Sequence, residues 1–221
     1  MVQMRRVRGS RIRLIGFVAI VLGALLVAGI GGGWWWTDRQ ARLTAHRLAD
    51  AAGEHWGAGP SRPEDSGRRY PGGDPNESAG LAGSVLAVVR AARLGLDWRM
   101  PVQRGTGTQV LREGLGLYDG SPRPGARGNV AIAGHRTTWG APLKHLDRLR
   151  PDDIITIWTA RGRFDYRVVT SGVTRPSDIS VIEPAAADGG SMLTLTTCHP
   201  EFSARERLFV HAVLVNSVKT D

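Results

Sequence analysis

Cys198 is the only cysteine in this chain of 221 residues, and it ends a β-like run, "MLTLTTC", that passes at once into charged residues. A cysteine attacks as thiolate, and its ordinary pKa near 8.5 leaves little thiolate at neutral pH. A working nucleophile therefore needs a cation or an imidazolium beside it. Arg207 lies nine residues on and opens the next apolar run, "RLFVHAV". If the two runs pair across the intervening loop, its guanidinium ends near the sulfur, where it can stabilise an oxyanion or hold a substrate backbone.

Six histidines could supply the proton-transfer partner. His46 and His55 precede a Pro- and Gly-rich segment and are set aside, and His145 sits on a predicted helix. His199 adjoins Cys198, and neighbours along a strand point to opposite faces. Two remain. His211 is four residues after Arg207 and shares its face, while His135 ends "NVAIAGH", at a strand-to-loop exit where active residues often sit. Spacing leaves that choice open. Competing chemistries lack their signatures, since no C-x-x-C or H-E-x-x-H zinc pattern and no phosphate-cradling glycine motif after a strand occurs. Neither metal nor organic cofactor is expected, and the glycines of "RGTGTQ" read as a turn.

The elements that must position these residues are mostly short strands. "VLAVVRAARLGLDWRMPVQRG" has β-branched residues broken by Gly and Pro, and "DIITIWTARGRFDYRVVTSGV" reads as two strands joined at a turn near Arg161-Gly162. In the second of these, Phe164, Tyr166 and Val168 share one face. The clearest helix of this half is "APLKHLDRL", where Leu143, Leu146 and Leu149 recur at helical spacing. Many close-spaced short strands with few helices point to an antiparallel β-barrel or sandwich.

Charge and hydropathy place this domain at the end of an anchor. Among the first 13 residues there are five arginines and no acid, so the rest of the chain carries 24 basic against 20 acidic side chains. The surplus is local, which argues against a nucleic-acid partner. The segment 14–36, "LIGFVAIVLGALLVAGIGGGWWW", is uncharged and long enough to cross a hydrocarbon layer of about 30 Å as a helix. A cleaved leader would have an apolar core of only about 7 to 15 residues. Arginines before the span and Trp34 to Trp36 at its far end suit an N-inside orientation with an interfacial aromatic belt. Residues 37–80 read as an extracytoplasmic linker, beginning as an amphipathic or frayed helix to His55. Gly57 to Gly80 then holds four prolines and six glycines and almost no large apolar side chain, the composition of a flexible tether. Residues 81–221 form the folded domain.

"LTLTTC", with Arg207 in "RERLFV" and His135 in "NVAIAGHRTTWGAPLKHLDRLRPDD", resembles the sortases, membrane-anchored cysteine transpeptidases of Gram-positive bacteria. The likeness runs from about Arg93 to Val218. "GHRTT", "TLTTCHPEFSARERL" and "GLGLYDGS" look most like class E, the type of high-GC actinobacteria. The resemblance implies a closed eight-stranded β-barrel after a transmembrane helix and linker. It makes Cys198 the nucleophile, His135 the general acid and base, and Arg207 the residue that orients substrate and stabilises the oxyanion; the choice of His135 over His211 rests on the resemblance. It also implies substrate contacts at Thr197, Tyr118 and Trp139, the last standing where the family pattern carries tyrosine.

The implied reaction cleaves an LPxTG or LAxTG sorting signal between Thr and Gly and passes the thioacyl group to an amine of a cell-wall precursor. No cofactor is implied. The implied partners are proteins with C-terminal sorting signals, the peptidoglycan precursor amine and the plasma membrane. Two rival readings are a pilin-polymerising enzyme, whose amine is a lysine of another subunit, and a non-catalytic wall-binding module with Cys198 in its core.

Overall fold

The computed structural model describes residues 7–56, 85–183 and 190–219; the tether read from Gly57 to Gly80 lies outside them. The chain divides into two compact units between Asp38 and Arg39. Helix α1 (Val7–His55) supplies the first unit and the opening of the second. It is long and apolar enough to cross a membrane, with an apolar window of mean hydropathy 2.2, none of it buried.

The second unit is a closed barrel of eight strands: β1 (Val85–Ala91), β2 (Arg99–Arg104), β3 (Leu115–Leu117), β4 (Gly128–Ala133), β5 (Ile154–Thr159), β6 (Gly162–Thr174), β7 (Ser191–His199) and β8 (Glu206–Lys219), in the order β1-β2-β3-β4-β7-β8-β6-β5. Inward residues alternate along each strand as period two requires. Ile132 of β4, Leu193 and Leu195 of β7, Val210 of β8, and Ile155 and Ile157 of β5 are fully buried in one core. Phe164, Tyr166 and Val168 share the inner face of β6 as their spacing predicts, and the Tyr166 hydroxyl accepts a hydrogen bond from the Gly125 amide at 2.8 Å. The turn expected near Arg161-Gly162 joins β5 to β6, with Thr159 opposite Gly162.

Three features depart from the sequence reading. The barrel is not purely antiparallel: β2 pairs with β3, and β4 with β7, in parallel. Parallel neighbours need a crossover, and the chain between β4 and β7 supplies one by building β5 and β6 on the far wall. A short helix α2 (Thr108–Glu113) follows the glycines of "RGTGTQ". "APLKHLDRL", in contrast, is no α-helix. Lys144, Leu146, Arg148 and Leu149 donate to carbonyls three residues back, and only Leu146–Arg148 forms a 3-10 turn. A spacing of three is the period of that tighter geometry, so Leu143, Leu146 and Leu149 still face one way and are all buried.

Residues 39–55, read as the start of a linker, are helical and belong to the same compact unit as the barrel. Ala45, Leu48, Ala49 and Ala52 recur at i, i+3, i+4 and i+7, one stripe of a helix. Leu48, Ala49 and Ala52 bury against Val85 and Val88 of β1, with Trp56 packed beside them. On the rim, Arg99 grips both carboxylate oxygens of Asp50, at 2.6 and 2.9 Å.

Candidate active site

The site is built on the wall formed by β4, β7 and β8. Leu193 and Leu195 of β7 point into the core, so Thr194, Thr196 and Cys198 take the outer face. In the antiparallel ladder of β7 and β8, Cys198 stands directly opposite Arg207, the pairing expected from the two runs. Arg207 is half-buried, and its Nη1 donates to the carbonyls of Ala204 and Glu206 at 3.2 and 3.1 Å. Those bonds turn the guanidinium toward the root of the loop that follows Cys198.

His135 comes to the same place from the other neighbour. Ala133 pairs with Thr196 in parallel, and the Gly134 amide continues the ladder by donating to the Thr196 carbonyl at 3.1 Å. One residue further, His135 falls level with Cys198. Gly134 is glycine because there is no space for more: a β-carbon would lie 2.5 Å from the side chain of Leu115 and 2.9 Å from that of Leu143. The His135 carbonyl accepts from the Leu143 amide at 3.0 Å, and the half-buried indole of the loop's neighbour Trp98 donates to the Pro142 carbonyl at 2.9 Å. His211 lies elsewhere. It pairs with Thr194, four residues before Cys198 on β7, which at strand rise is about 13 Å away. Its Nε2 donates to the Val181 carbonyl at 3.0 Å, since a carbonyl can only accept.

The His135 ring is half-buried, and its Nε2 is buried with no hydrogen-bond partner among the described residues. Burial holds its pKa below the usual 6.5, and the positive charge of Arg112, on α2, pushes the same way. Neutral imidazole therefore dominates at neutral pH, and imidazolium is the minority form. Arg112 lies over the ring of Trp139 at 4.3 Å. Trp139 holds a left-handed backbone (φ +53°), as does Phe202 (φ +62°) in the loop after Cys198. Non-glycine residues rarely adopt that conformation, and such strain gathers at functional sites. Ala141 (φ +47°) adds a second to the loop after His135, so both loops that leave the site carry such a residue.

Of the other residues assigned to substrate contact, Tyr118 is half-buried and its hydroxyl lies 3.0 Å from Thr196 Oγ1. It lines a cavity of about 240 Å³ with Asn129, Ala131, Ile179 and Ile182, on the outer face of the same wall. Thr197 points inward and is buried; its hydroxyl donates to the Gly134 carbonyl at 2.8 Å, tying β7 to the residue before His135. The connection after β6 roofs the cavity. Its Val181 carbonyl accepts from Asn129 Nδ2 and Thr194 Oγ1, both at 3.2 Å.

One buried residue of the site escaped the sequence reading although it stands inside the quoted "GHRTT". Arg136 is 5% exposed and lies 3.1 Å from His199 Nδ1. Nothing in its spacing marks it, because a charged residue after a strand reads as solvated surface. Among the described residues, no group of three His, Cys, Asp or Glu side chains converges as a metal site.

Comparison with known proteins places this geometry. The Sortase domain family model matches residues 92–215. Sortase SrtE1 of Streptomyces coelicolor is 30% identical over 212 residues, covering 92% of this chain, which spans only 57% of that relative's length. The solved structure of sortase E from Streptomyces avermitilis is 40% identical with a TM-score of 0.56, over 62% of this chain and 91% of that one. The structure of Streptomyces coelicolor sortase E1 with a tripeptide in the active site is 31% identical at the same TM-score and coverage. Since the family model covers more than half of its length, the chain belongs to the sortase family.

Proposed function

We propose that the chain is a membrane-anchored cysteine transpeptidase that cleaves a sorting signal of LAxTG or LPxTG type between Thr and Gly and joins the new end to a cell-wall precursor amine. One observation carries this reading: a lone half-buried thiol stands directly across a strand ladder from an arginine, with a histidine level with it on the other neighbour. The Cys198 thiolate attacks the Thr carbonyl carbon, and the negative charge that develops on the oxygen faces the Arg207 guanidinium. As the carbon–nitrogen bond breaks, the His135 imidazolium gives its proton to the departing Gly amine. A thioester on Cys198 remains. The wall amine then attacks that thioester, neutral His135 takes the amine proton, and the thiolate leaves with the bond it had formed.

The cavity beside Tyr118 and Thr196 lies on the same face as the thiol and suits the residues before the scissile bond. The five arginines preceding α1's apolar stretch suit a cytoplasmic N-terminus, which puts the barrel outside the cell at the membrane where sorting-signal proteins are themselves anchored. The test is to incubate the full chain in detergent micelles with LAxTG and LPxTG peptides plus a diamino acid, and to follow products by mass spectrometry. A peptide ending at Thr and carrying the amine is expected, with the thioacyl enzyme trapped on acid quenching. Equal product from the Cys198→Ala chain overturns the proposal.

A further inference from the structure

His135 and Cys198 are each followed by a residue that does not enter the reaction, and these two followers touch each other. Arg136 succeeds His135, His199 succeeds Cys198, and the Arg136 Nη1 to His199 Nδ1 distance is 3.1 Å. Guanidinium has donors only and does not lose its proton in proteins. In this hydrogen bond His199 Nδ1 is therefore the acceptor. On its other side Arg136 Nη2 lies 3.5 Å from Asp147 Oδ2, a carboxylate 54% exposed on the 3-10 turn. Arg136 Nε is buried without a hydrogen-bond partner among the described residues. A guanidinium 5% exposed and only partly satisfied is a costly way to fill space.

Its position supplies a use. The ladder between β4 and β7 ends at the Gly134 amide, and the Thr197 hydroxyl to Gly134 carbonyl bond, 2.8 Å, ties the two segments just before His135 and Cys198. Beyond that pair the backbones are no longer joined by ladder bonds. The Arg136–His199 bond closes the bracket on the far side. We infer that Arg136 and His199 are a positioning pair, which sets the spacing of His135 from Cys198 while Asp147 anchors the guanidinium to the turn behind it. The inference rests on the reading of Cys198 and His135 as the reacting pair. Loss of the bracket leaves the substrate cavity intact but lets the proton donor drift from the thioester, and a misplacement of about 1 Å can cost about 100-fold in rate.

The experiment uses the full chain in micelles and the better of the two signal peptides. His199→Leu removes the acceptor and His199→Asn restores one through Oδ1. The leucine variant is expected to lose at least about tenfold in kcat with KM and thermal midpoint unchanged, and the asparagine variant to recover most of the rate. Arg136→Met should lose as much as His199→Leu, and the double variant no more than either, because one bond is being removed twice. Should Arg136→Met fail to fold, the two His199 variants decide alone. Wild-type kcat in His199→Leu, a fall confined to KM, or asparagine no better than leucine overturns the positioning pair. Those results leave the catalytic reading standing, whereas cleavage that survives Cys198→Ala removes the catalytic reading itself.

Discussion

Two walls of the same barrel are built to opposite rules. Where α1 seats on β1, Leu48, Ala49 and Ala52 fill against Val85 and Val88, all at most 5% exposed, and Arg99 holds both carboxylate oxygens of Asp50. At the end of β4, β7 and β8, Cys198, His135 and Arg207 are all half-buried, and three residues of the adjoining loops, Trp139, Ala141 and Phe202, hold left-handed backbone. Two of the three buried side-chain atoms lacking a partner among the described residues, His135 Nε2 and Arg136 Nε, are also here; the third is His46 Nδ1 on α1. The seat gains from burying apolar surface at about 25 cal/mol per Å². The site gives up some of that gain to keep polar groups desolvated and unspent, which is what makes them available to a substrate. Stability and reactivity should therefore respond to different substitutions.

The largest separation is expected from Cys198→Ala. Transfer should vanish while the thermal midpoint stays near that of the wild type, because a half-buried thiol leaves little cavity when truncated. A large loss of stability would make Cys198 a core residue and erase the contrast between the walls. Next comes Arg207→Lys, which keeps the charge and discards the planar fork. Removal of one oxyanion donor typically costs roughly 2.7 to 4 kcal/mol of transition-state stabilisation. We expect kcat to fall by about 100-fold or more with melting unchanged. A lysine enzyme as fast as the wild type means that Arg207 contributes charge alone.

How much of this contrast could be read beforehand depends on the range of the interactions involved. Alternation along β6, the hairpin at Arg161-Gly162 and the facing of Cys198 by Arg207 are local or nearly so, and sequence pattern reaches them. The parallel junctions are not local: β4 meets β7 only after 57 intervening residues (134–190), and no periodicity encodes that return. Spacing leaves His135 and His211 open, and only the resemblance chooses between them, because telling them apart needs this junction. Both histidines lie at outer-face positions next to β7, and the four-residue offset that separates them is a property of register. The "APLKHLDRL" segment misled for another reason. Its leucines repeat every three residues, a spacing that an α-helix and a run of i→i−3 turns share over so short a segment. The apolar stripe on α1 was visible as amphipathicity, but its partner, Val85 and Val88, lies beyond the Gly- and Pro-rich stretch.

The converse experiment strikes the seat. Leu48→Ala deletes a side chain only 2% exposed from a cluster of a few residues. Leu→Ala losses in cores run from about 2 to 5 kcal/mol, and a small satellite cluster belongs near about 2. Urea unfolding should show that loss with the m-value unchanged, while kcat per folded molecule stays at the wild-type level. A fall in kcat with no change in unfolding midpoint would show that the seat reaches the site and that the two walls are not independent.

The finest test lies within the site and concerns charge alone. His135 is held below its usual pKa of 6.5 first by burial and then by Arg112, which stands over Trp139 and is otherwise exposed. Arg112→Gln removes the second cause and leaves the first, so the His135 midpoint should rise in the variant yet stay below 6.5. The sign carries into rate. In the proposed reaction the departing Gly amine takes its proton from imidazolium, and a higher pKa puts more of the enzyme in that form at any given pH. The acid limb of the pH–rate profile should accordingly move to higher pH in Arg112→Gln, with stability hardly altered. Because Arg112 is exposed, salt should screen it, and raising ionic strength should move the wild-type midpoint toward that of the variant. Titration of His135 with ring-labelled histidine in the full chain reads both shifts directly. A midpoint that stays put in the variant would leave burial as the whole cause, and Arg112 would then belong with the surface of the barrel.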